Sequence, residues 1–275
     1  MKLAPALGLL AALFITPAIA AETMTPEVEH EITEGRHPAK LDWSFNGVFG
    51  TYDRASLQRG FQVYKEVCSA CHSLNLVSFH SLSEGEGGSG FFTDPEVKAI
   101  AAAYKVPAGP NDKGETTDAN GTPLTRPGIP SDHFPAPFAN EQAARTSNNG
   151  ALPPDLSLMA KAREGGPDYI HAILTGFGEK APAGFHVLEG KYFNPYFPGG
   201  NISMPPPLTA NQVTYSDGTK ATVDQMAKDV STFLMWTAEP KLEERHHLGL
   251  GVMVFLLLLS VLLFLSYKKL WKDVH

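Results

Sequence analysis

The stretch "EVCSACHSLN" spans residues 66–75 and contains Cys68, Cys71 and His72. The chain has no other cysteine. Two thiols at this spacing occur in three kinds of site: a redox-active dithiol, half of a zinc site, and a covalent haem attachment. In the last kind both thiols form thioethers, and the histidine that follows ligates the iron. The rest of the sequence decides among these three possibilities.

The haem interpretation is the one that uses all three residues. A structural zinc site needs four ligands, and the chain has neither a second CxxC nor a nearby HxxxH pair. A thioredoxin-like CxxC belongs beside a strand–helix unit, whereas this one follows a predicted helix. We therefore predict one covalently bound haem c, attached through Cys68 and Cys71 with His72 as an axial iron ligand.

The residues before the motif predict the helix that carries it. Apolar side chains fall on one helical face at Leu57, Phe61, Tyr64 and Cys68. Asp53 or Ser56 is suited to cap its start. Gly60 is unfavourable in a helix unless another helix approaches closely there. The amphipathic segment 222–236 is the candidate for that partner, by analogy with the crossing terminal helices of small c-type cytochromes.

Met204 is the predicted second axial ligand. It stands in "FPGGNISMPPPLT", residues 197–209, where three consecutive prolines enforce a stiff extended chain. Such a segment can hold a thioether at a fixed place, and histidine–methionine ligation raises the reduction potential of haem. An incidental methionine in a surface loop and a bis-histidine haem both remain open alternatives.

Met204 lies 132 residues after His72, which implies large insertions between the two ligands. The segments 83–94 and 106–150 have little apolar periodicity and are predicted to be surface loops. Several acidic residues there form a candidate docking face, although a merely solvated loop has the same composition. They are Glu84, Glu86, Asp94, Glu96, Asp112, Glu115 and Asp118.

The charge balance argues against one class of partner. Residues 22–247 contain 18 basic and 28 acidic side chains. Nucleic-acid-binding proteins are basic, so we expect no nucleic-acid partner. The excess of acidic side chains suits a soluble partner with a basic face. It is equally consistent with surface charge that only keeps the domain soluble.

Both ends of the chain carry apolar segments. Residues 1–21 have one positive charge, a short apolar run and the small residues Ala18–Ala20, as in a secretory signal peptide. Residues 248–267 contain no charged side chain and are long enough to span a bilayer. Lysines follow in the tail 268–275, which we therefore expect to be cytoplasmic. Residues 22–247 would then form an exported, periplasmic domain.

These observations predict a mainly α fold: a class I cytochrome c-like domain with long loop insertions and one C-terminal transmembrane helix. No constellation for nucleophilic catalysis or nucleotide binding stands out. The candidate functions are an electron-transfer subunit of a membrane complex, an independent membrane-anchored electron shuttle, and a haem enzyme with an open iron site. The link 237–247 between the last predicted helix and the membrane segment is short, which favours the first.

Longer blocks of sequence resemble one family. The blocks are QRGFQVYKEVCSACHS (58–73), SNNGALPPDLS (147–157), KYFNPYFPGGNISMPPPL (191–208) and DVSTFLMWTAEP (229–240). Together with the C-terminal anchor they resemble the cytochrome c1 family in order and position. The resemblance covers nearly the whole chain after the predicted signal peptide.

The resemblance implies a role in respiration. Cytochrome c1 is the haem c subunit of the ubiquinol–cytochrome c oxidoreductase, the cytochrome bc1 complex. In the bacterial inner membrane this subunit would sit with cytochrome b and the Rieske iron–sulfur protein in a dimeric complex. It would accept an electron from the Rieske protein and pass it to a soluble or tethered cytochrome c. It would be an electron carrier rather than an enzyme on its own.

The resemblance also assigns residues. Cys68 and Cys71 match the thioether cysteines, and His72 and Met204 match the axial ligands. Arg163 and Tyr169 match residues on the haem-propionate side; the alternative for Arg163 is a surface ion pair. Some bacterial relatives carry an additional cysteine pair that steadies the methionine side. This chain has Phe177 and Gly178 in the corresponding region, so packing must supply the rigidity there.

Overall fold

A computed structural model describes residues 24–273, and the predicted signal peptide 1–21 lies outside that range. The described chain is mainly helical and contains eight α-helices and four short strands. The helices are α1 (Pro26–Glu34), α2 (Arg54–Glu66), α3 (Asp94–Ala102), α4 (Glu141–Ser147), α5 (Met159–Ala162), α6 (Pro167–Thr175), α7 (Val223–Ala238) and α8 (Leu242–Leu270). The strands form two antiparallel pairs, β1 (Lys105–Pro107) with β2 (Thr125–Pro127) and β3 (Tyr192–Phe193) with β4 (Asn201–Ile202).

Helix α2 begins and packs as its sequence predicts. The Asp53 carboxylate accepts a hydrogen bond from the Ser56 N–H at 3.0 Å and so caps the first turn. Leu57, Phe61 and Tyr64 are buried, which confirms the predicted apolar face. The helix therefore brings the cysteine motif to the edge of the hydrophobic core.

Gly60 is where α2 meets α7. A methyl group at this position would collide with the Asp229 carbonyl and would lie 2.7 Å from Cβ of Phe233. The two helices consequently touch backbone to backbone, and the predicted close crossing is confirmed. Phe233 and Trp236 of α7 are fully buried beside it.

A buried ion pair braces the same crossing. The Asp229 side chain is fully buried, and Arg59 donates to it from Nε at 2.9 Å and from Nη2 at 3.0 Å. Ser56 Oγ and Gln225 Nε2 also donate to this carboxylate, at 2.7 and 3.1 Å. Removing one member of such a pair would leave an uncompensated buried charge, so the cluster ties α2 to α7 in one register.

The segment 106–150 is more ordered than predicted. The β1–β2 pair closes its first part, and α4 follows, with the Asn140 side chain capping the helix through the Ala143 N–H at 2.9 Å. Ala144 is the one buried residue of α4. Because α4 is stabilised by its cap and buries so little apolar surface, its sequence shows hardly any apolar periodicity.

Helix α8 is the membrane-spanning candidate. It begins six residues before the predicted span 248–267 and ends three residues after it, and its apolar window has a mean hydropathy of 2.9. The side chains of that window are exposed, so the domain does not cover them. Only three residues separate α7 from α8, which leaves no flexible tether between the domain and the span.

The Gly60 contact yields a stability prediction. Gly60→Ala places a methyl group against a backbone carbonyl that cannot rotate away, and such overpacking lowers the free energy of unfolding by about 1–3 kcal/mol. The better helix propensity of alanine offsets about 1 kcal/mol of this cost, so we expect a net fall of up to about 2 kcal/mol. Chemical denaturation of the haem-loaded chain in detergent measures the difference.

The matched control is Gly178→Ala, where a new methyl group meets no atom within 4 Å. It should unfold like the parent chain. If Gly60→Ala also unfolded like the parent, the close crossing would be wrong.

Candidate haem-attachment site

The two thiols lie on the turn that ends α2. A short 3-10 helix covers Cys68–Ala70, and the Cys68 carbonyl accepts hydrogen bonds from the N–H groups of Cys71 and His72 at 3.1 and 2.9 Å. Cys68 is half-buried against the core and Cys71 is exposed. Burial, with a smaller effect of Cys71, raises the pKa of the Cys68 thiol to about 12. The turn thus presents two sulfurs at the domain edge, one half-buried and one exposed.

The His72 ring is held by a hydrogen bond at Nδ1. Its Nδ1 lies 2.8 Å from the Pro154 carbonyl oxygen. A carbonyl can only accept, so Nδ1 carries the proton and Nε2 keeps its lone pair. Burial lowers the pKa of the imidazole, against the opposing effects of Pro154 and Asp155. The result is a neutral, oriented imidazole with the free nitrogen that an iron ligand needs.

Asp155 fixes the segment that carries the Pro154 carbonyl. Its carboxylate accepts from Ser73 Oγ and the Asn75 N–H, both at 2.8 Å, and from the Ser157 N–H at 2.9 Å. Burial opposes its ionisation, but these donors outweigh that effect and lower the pKa of the Asp155 carboxyl. Asp155 therefore clamps the residues after His72 to the loop that orients its ring.

The surroundings of the motif fit a haem. Leu76, Leu152 and Leu158 lie on the two clamped segments or beside them, and they are 64%, 37% and 48% exposed. Two thiols, a free imidazole nitrogen and uncovered leucines match a flat, apolar cofactor that is bonded at its edge and ligated at its iron. The chemistry that a haem supplies there is reversible one-electron transfer at the iron.

Met204 follows the β3–β4 pair. Tyr192 opposes Ile202 in that pair, and Lys191 donates a hydrogen bond to Ser203, next to the methionine. Met204 itself is half-buried. Among residues 24–273 no hydrogen bond joins this segment to His72. Its backbone is thus fixed by a strand pair on one side and by prolines on the other, and its role as iron ligand stays a prediction.

Arg163 and Tyr169 lie together, as expected for two residues on one side of a site. Arg163 directly follows α5, and its exposed side chain donates to the Ala162 carbonyl at 3.0 Å. Burial raises the pKa of Tyr169, and the nearby Arg163 opposes that rise. Both residues line a cleft of about 640 Å³ together with residues of 34–40 and 196–198. The cysteines, His72 and Met204 do not line this cleft, so a shared propionate site stays a prediction.

Two residues that orient His72 were not predicted from the sequence. Pro154 and Asp155 stand in the block 147–157, whose sequence resembles the cytochrome c1 family. Asp155 forms an Asx turn with Ser157, a local pattern typical of Asp two residues before its donor. That pattern predicts a turn but cannot show that the turn meets residues 73–75, some 80 positions earlier.

The fold and this site define a class. A mainly helical domain with a CxxCH turn at the end of a core helix, and with an oriented histidine, is a c-type cytochrome. The family model described as the cytochrome C1 family matches residues 43–274. The chain therefore belongs to the cytochrome c1 family.

Individual relatives agree with this assignment. The chain is 49% identical over 250 residues to cytochrome c1 of Rhodospirillum rubrum, covering 86% of this chain and 88% of that protein. It is 47% identical over 235 residues to a Candida albicans protein named cytochrome b-c1 complex catalytic subunit, mitochondrial (86% and 77% covered). It is 50% identical over 256 residues to cytochrome b/c1 of Bradyrhizobium diazoefficiens; the match covers 86% of this chain but only 36% of that protein.

The Asp155 clamp yields a second prediction. Asp155→Asn removes a negative charge close to His72, the predicted iron ligand. It also turns one of the two acceptor oxygens into a donor, which must then face the N–H of either Asn75 or Ser157. Both the lost charge and a looser His72–Pro154 bond favour the ferrous state, so the reduction potential should rise. We expect a rise of roughly tens of millivolts, where 59 mV is tenfold for one electron. Optical redox titration of the haem-loaded chain measures it.

Asp118→Asn is the matched control, because Asp118 also accepts from two backbone N–H groups but lies in an exposed turn. Its potential should equal that of the parent. An equal change of reduction potential in both variants, or a lower potential in Asp155→Asn, would contradict the role of the Asp155 clamp.

Proposed function

We propose that this chain is the haem-bearing electron-transfer subunit of a cytochrome bc1 complex. The observation that carries the proposal is the His72 imidazole, oriented by the Pro154 carbonyl at the end of α2 beside two thiols. Cys68 and Cys71 would form the thioethers, and His72 and Met204 would be the axial ligands. Membership of the cytochrome c1 family supports the same role.

The protein's own contribution is to hold the iron ligands still. Electron transfer makes and breaks no bond to a substrate, so the chain needs little motion between the two oxidation states. His72 Nε2 is aimed by the hydrogen bond at Nδ1, and the CxxCH turn is rooted in the packed α2–α7 crossing. Arg163 is suited to pair with a propionate through its planar fork, with Tyr169 beside it.

The proposed topology places residues 22–247 in the periplasm and the stretch 248–267 of α8 across the bacterial inner membrane. Residues 1–21 would be the cleaved signal peptide, and 268–275 the cytoplasmic tail. The lysines Lys268, Lys269 and Lys272 after the apolar stretch support this orientation.

The short, well-bonded connection between the domain and α8 favours a subunit of a complex over a freely moving electron shuttle. Glu239, in the short α7–α8 connection, pairs with both Lys161 of α5 and Arg245 of α8. Tyr52 Oη donates to the Glu239 carbonyl at 3.0 Å. These contacts hold the domain close to the start of the span, so an electron must reach it from a partner that moves or docks.

The proposed partners follow from the names of the relatives. One of them is named cytochrome b/c1, and another is named a catalytic subunit of the cytochrome b-c1 complex. We infer cytochrome b and the Rieske iron–sulfur protein as neighbours in a dimeric complex, and a soluble or tethered cytochrome c as acceptor. The exposed acids Glu84, Glu86 and Asp112 are available to steer a basic acceptor.

Replacing Met204 tests the ligand set. Met204→Leu keeps the volume and removes the sulfur, so the iron should lose its sixth ligand. We expect the reduction potential to fall by more than about 59 mV, a tenfold change for one electron. The ferrous form should then bind carbon monoxide, which the parent should not. Redox titration and difference spectra with the gas measure both effects.

Met159→Leu serves as the control, because Met159 begins α5 and packs against the core. It should keep the potential of the parent and its indifference to carbon monoxide. Carbon monoxide binding by the parent itself, or an unchanged Met204→Leu, would contradict the ligand assignment and reopen the haem-enzyme or bis-histidine interpretations.

A further inference from the structure

The segment "WSFNGVFGTY", residues 43–52, has buried apolar side chains at its two ends and exposed ones at its tip. Trp43, Phe45 and Tyr52 are buried in the core, whereas Val48 and Phe49 at the tip are 62% and 80% exposed. We call this segment the 43–52 loop. No charged residue lies within it, so its tip presents two uncovered apolar side chains in succession.

The loop is held rigidly. The Asn46 N–H donates to the Trp43 carbonyl at 3.0 Å, and the Thr51 N–H donates to the Ser44 carbonyl at 3.0 Å. A methyl group at Gly50 would collide with the Phe45 carbonyl, so the two arms of the loop are in close contact. The exposure of the tip is therefore built into the fold.

The loop is also bonded to the start of α8. The Tyr52 N–H donates to Glu243 Oε1 at 2.7 Å, and Tyr52 Oη lies 3.3 Å from the Met235 carbonyl. His246 Nδ1 lies 3.1 Å from the Gly50 carbonyl oxygen and donates to it. The tip of the loop thus stands beside the first turns of the helix that enters the apolar stretch.

This bond fixes the height of the tip along α8. His246 precedes Leu248, the first residue of the apolar stretch, by two positions, which is about 3 Å along a helix axis. Phe49 adjoins Gly50, and neighbouring Cα atoms are about 3.8 Å apart. The residue next to Phe49 is therefore bonded to α8 two positions before the uncovered apolar surface of that helix begins.

We propose that Val48 and Phe49 insert into the boundary between headgroups and acyl chains of the phospholipid bilayer, as a second membrane contact beside α8. The occupant is lipid because the loop is bonded to the start of a helix whose own apolar surface is uncovered, with Leu248 68% exposed. Apolar and aromatic side chains of interfacial segments bury at this depth. The proposal rests on α8 crossing the bilayer.

A second contact has a consequence for electron transfer. A domain mounted on one helix can rotate about that helix, whereas two points of contact fix its orientation to the membrane plane. Since α2 follows the 43–52 loop directly, the loop would fix the distance of the CxxCH turn from the membrane surface and its orientation to that surface. Partners confined to the same membrane would then meet the haem edge at a constant distance.

Photo-crosslinking to lipid tests the proposal. The haem-loaded full chain is prepared with Phe49→p-benzoylphenylalanine, reconstituted in phosphatidylcholine–phosphatidylglycerol nanodiscs, irradiated and analysed by mass spectrometry. The positive control places the probe at Phe255, which lies within the span. The matched control places it at Leu188, which is 53% exposed and apolar, but whose N–H is bonded to Asn201 rather than to α8.

The proposal predicts lipid adducts at positions 49 and 255 and only background at 188. Adducts at 255 without adducts at 49 would overturn this inference and leave the span intact. Absence of adducts at 255 would overturn the span and the inference together. The same probe in native membranes should again label lipid; crosslinks at 49 to another protein subunit alone would show a protein partner and overturn the lipid assignment.

Discussion

The backbone contact between α2 and α7 at Gly60 fixes how the two central helices of the core lie against each other. It requires glycine on one helix, because any side chain there would strike the Asp229 carbonyl. The Arg59–Asp229 pair locks the same crossing, and the aromatic side chains of Phe61, Phe233 and Trp236 pack around it. One end of this crossing carries the CxxCH turn, and the other leads into the apolar helix α8.

The crossing links the CxxCH turn to α8. Because α2 is fixed, the turn after it holds His72 where the Pro154 carbonyl can orient the ring. Because α7 runs into α8 with only a short connection, the same rigid body reaches the apolar span. A c-type cytochrome that serves partners in one membrane needs both properties: still ligands, and a constant place for the haem edge.

Sequence alone predicts the parts of this arrangement that are local. Cys68, Cys71 and His72 form a contiguous motif, the cap of α2 is a single residue, and Gly60 is an exception within a strong helical pattern. The Asp155 clamp, the Arg59–Asp229 pair and the bond from His246 to Gly50 join residues that are 80 to nearly 200 positions apart. No periodicity reveals which distant segments meet, and a helix such as α4, stabilised by its cap, leaves little pattern to detect.

X-ray absorption spectroscopy of the full-length, haem-loaded chain, in both oxidation states, measures the coordination of the iron itself. We expect one imidazole nitrogen and one sulfur as axial ligands, at distances that barely change on reduction. Two axial nitrogens, or an empty axial position, would contradict this assignment.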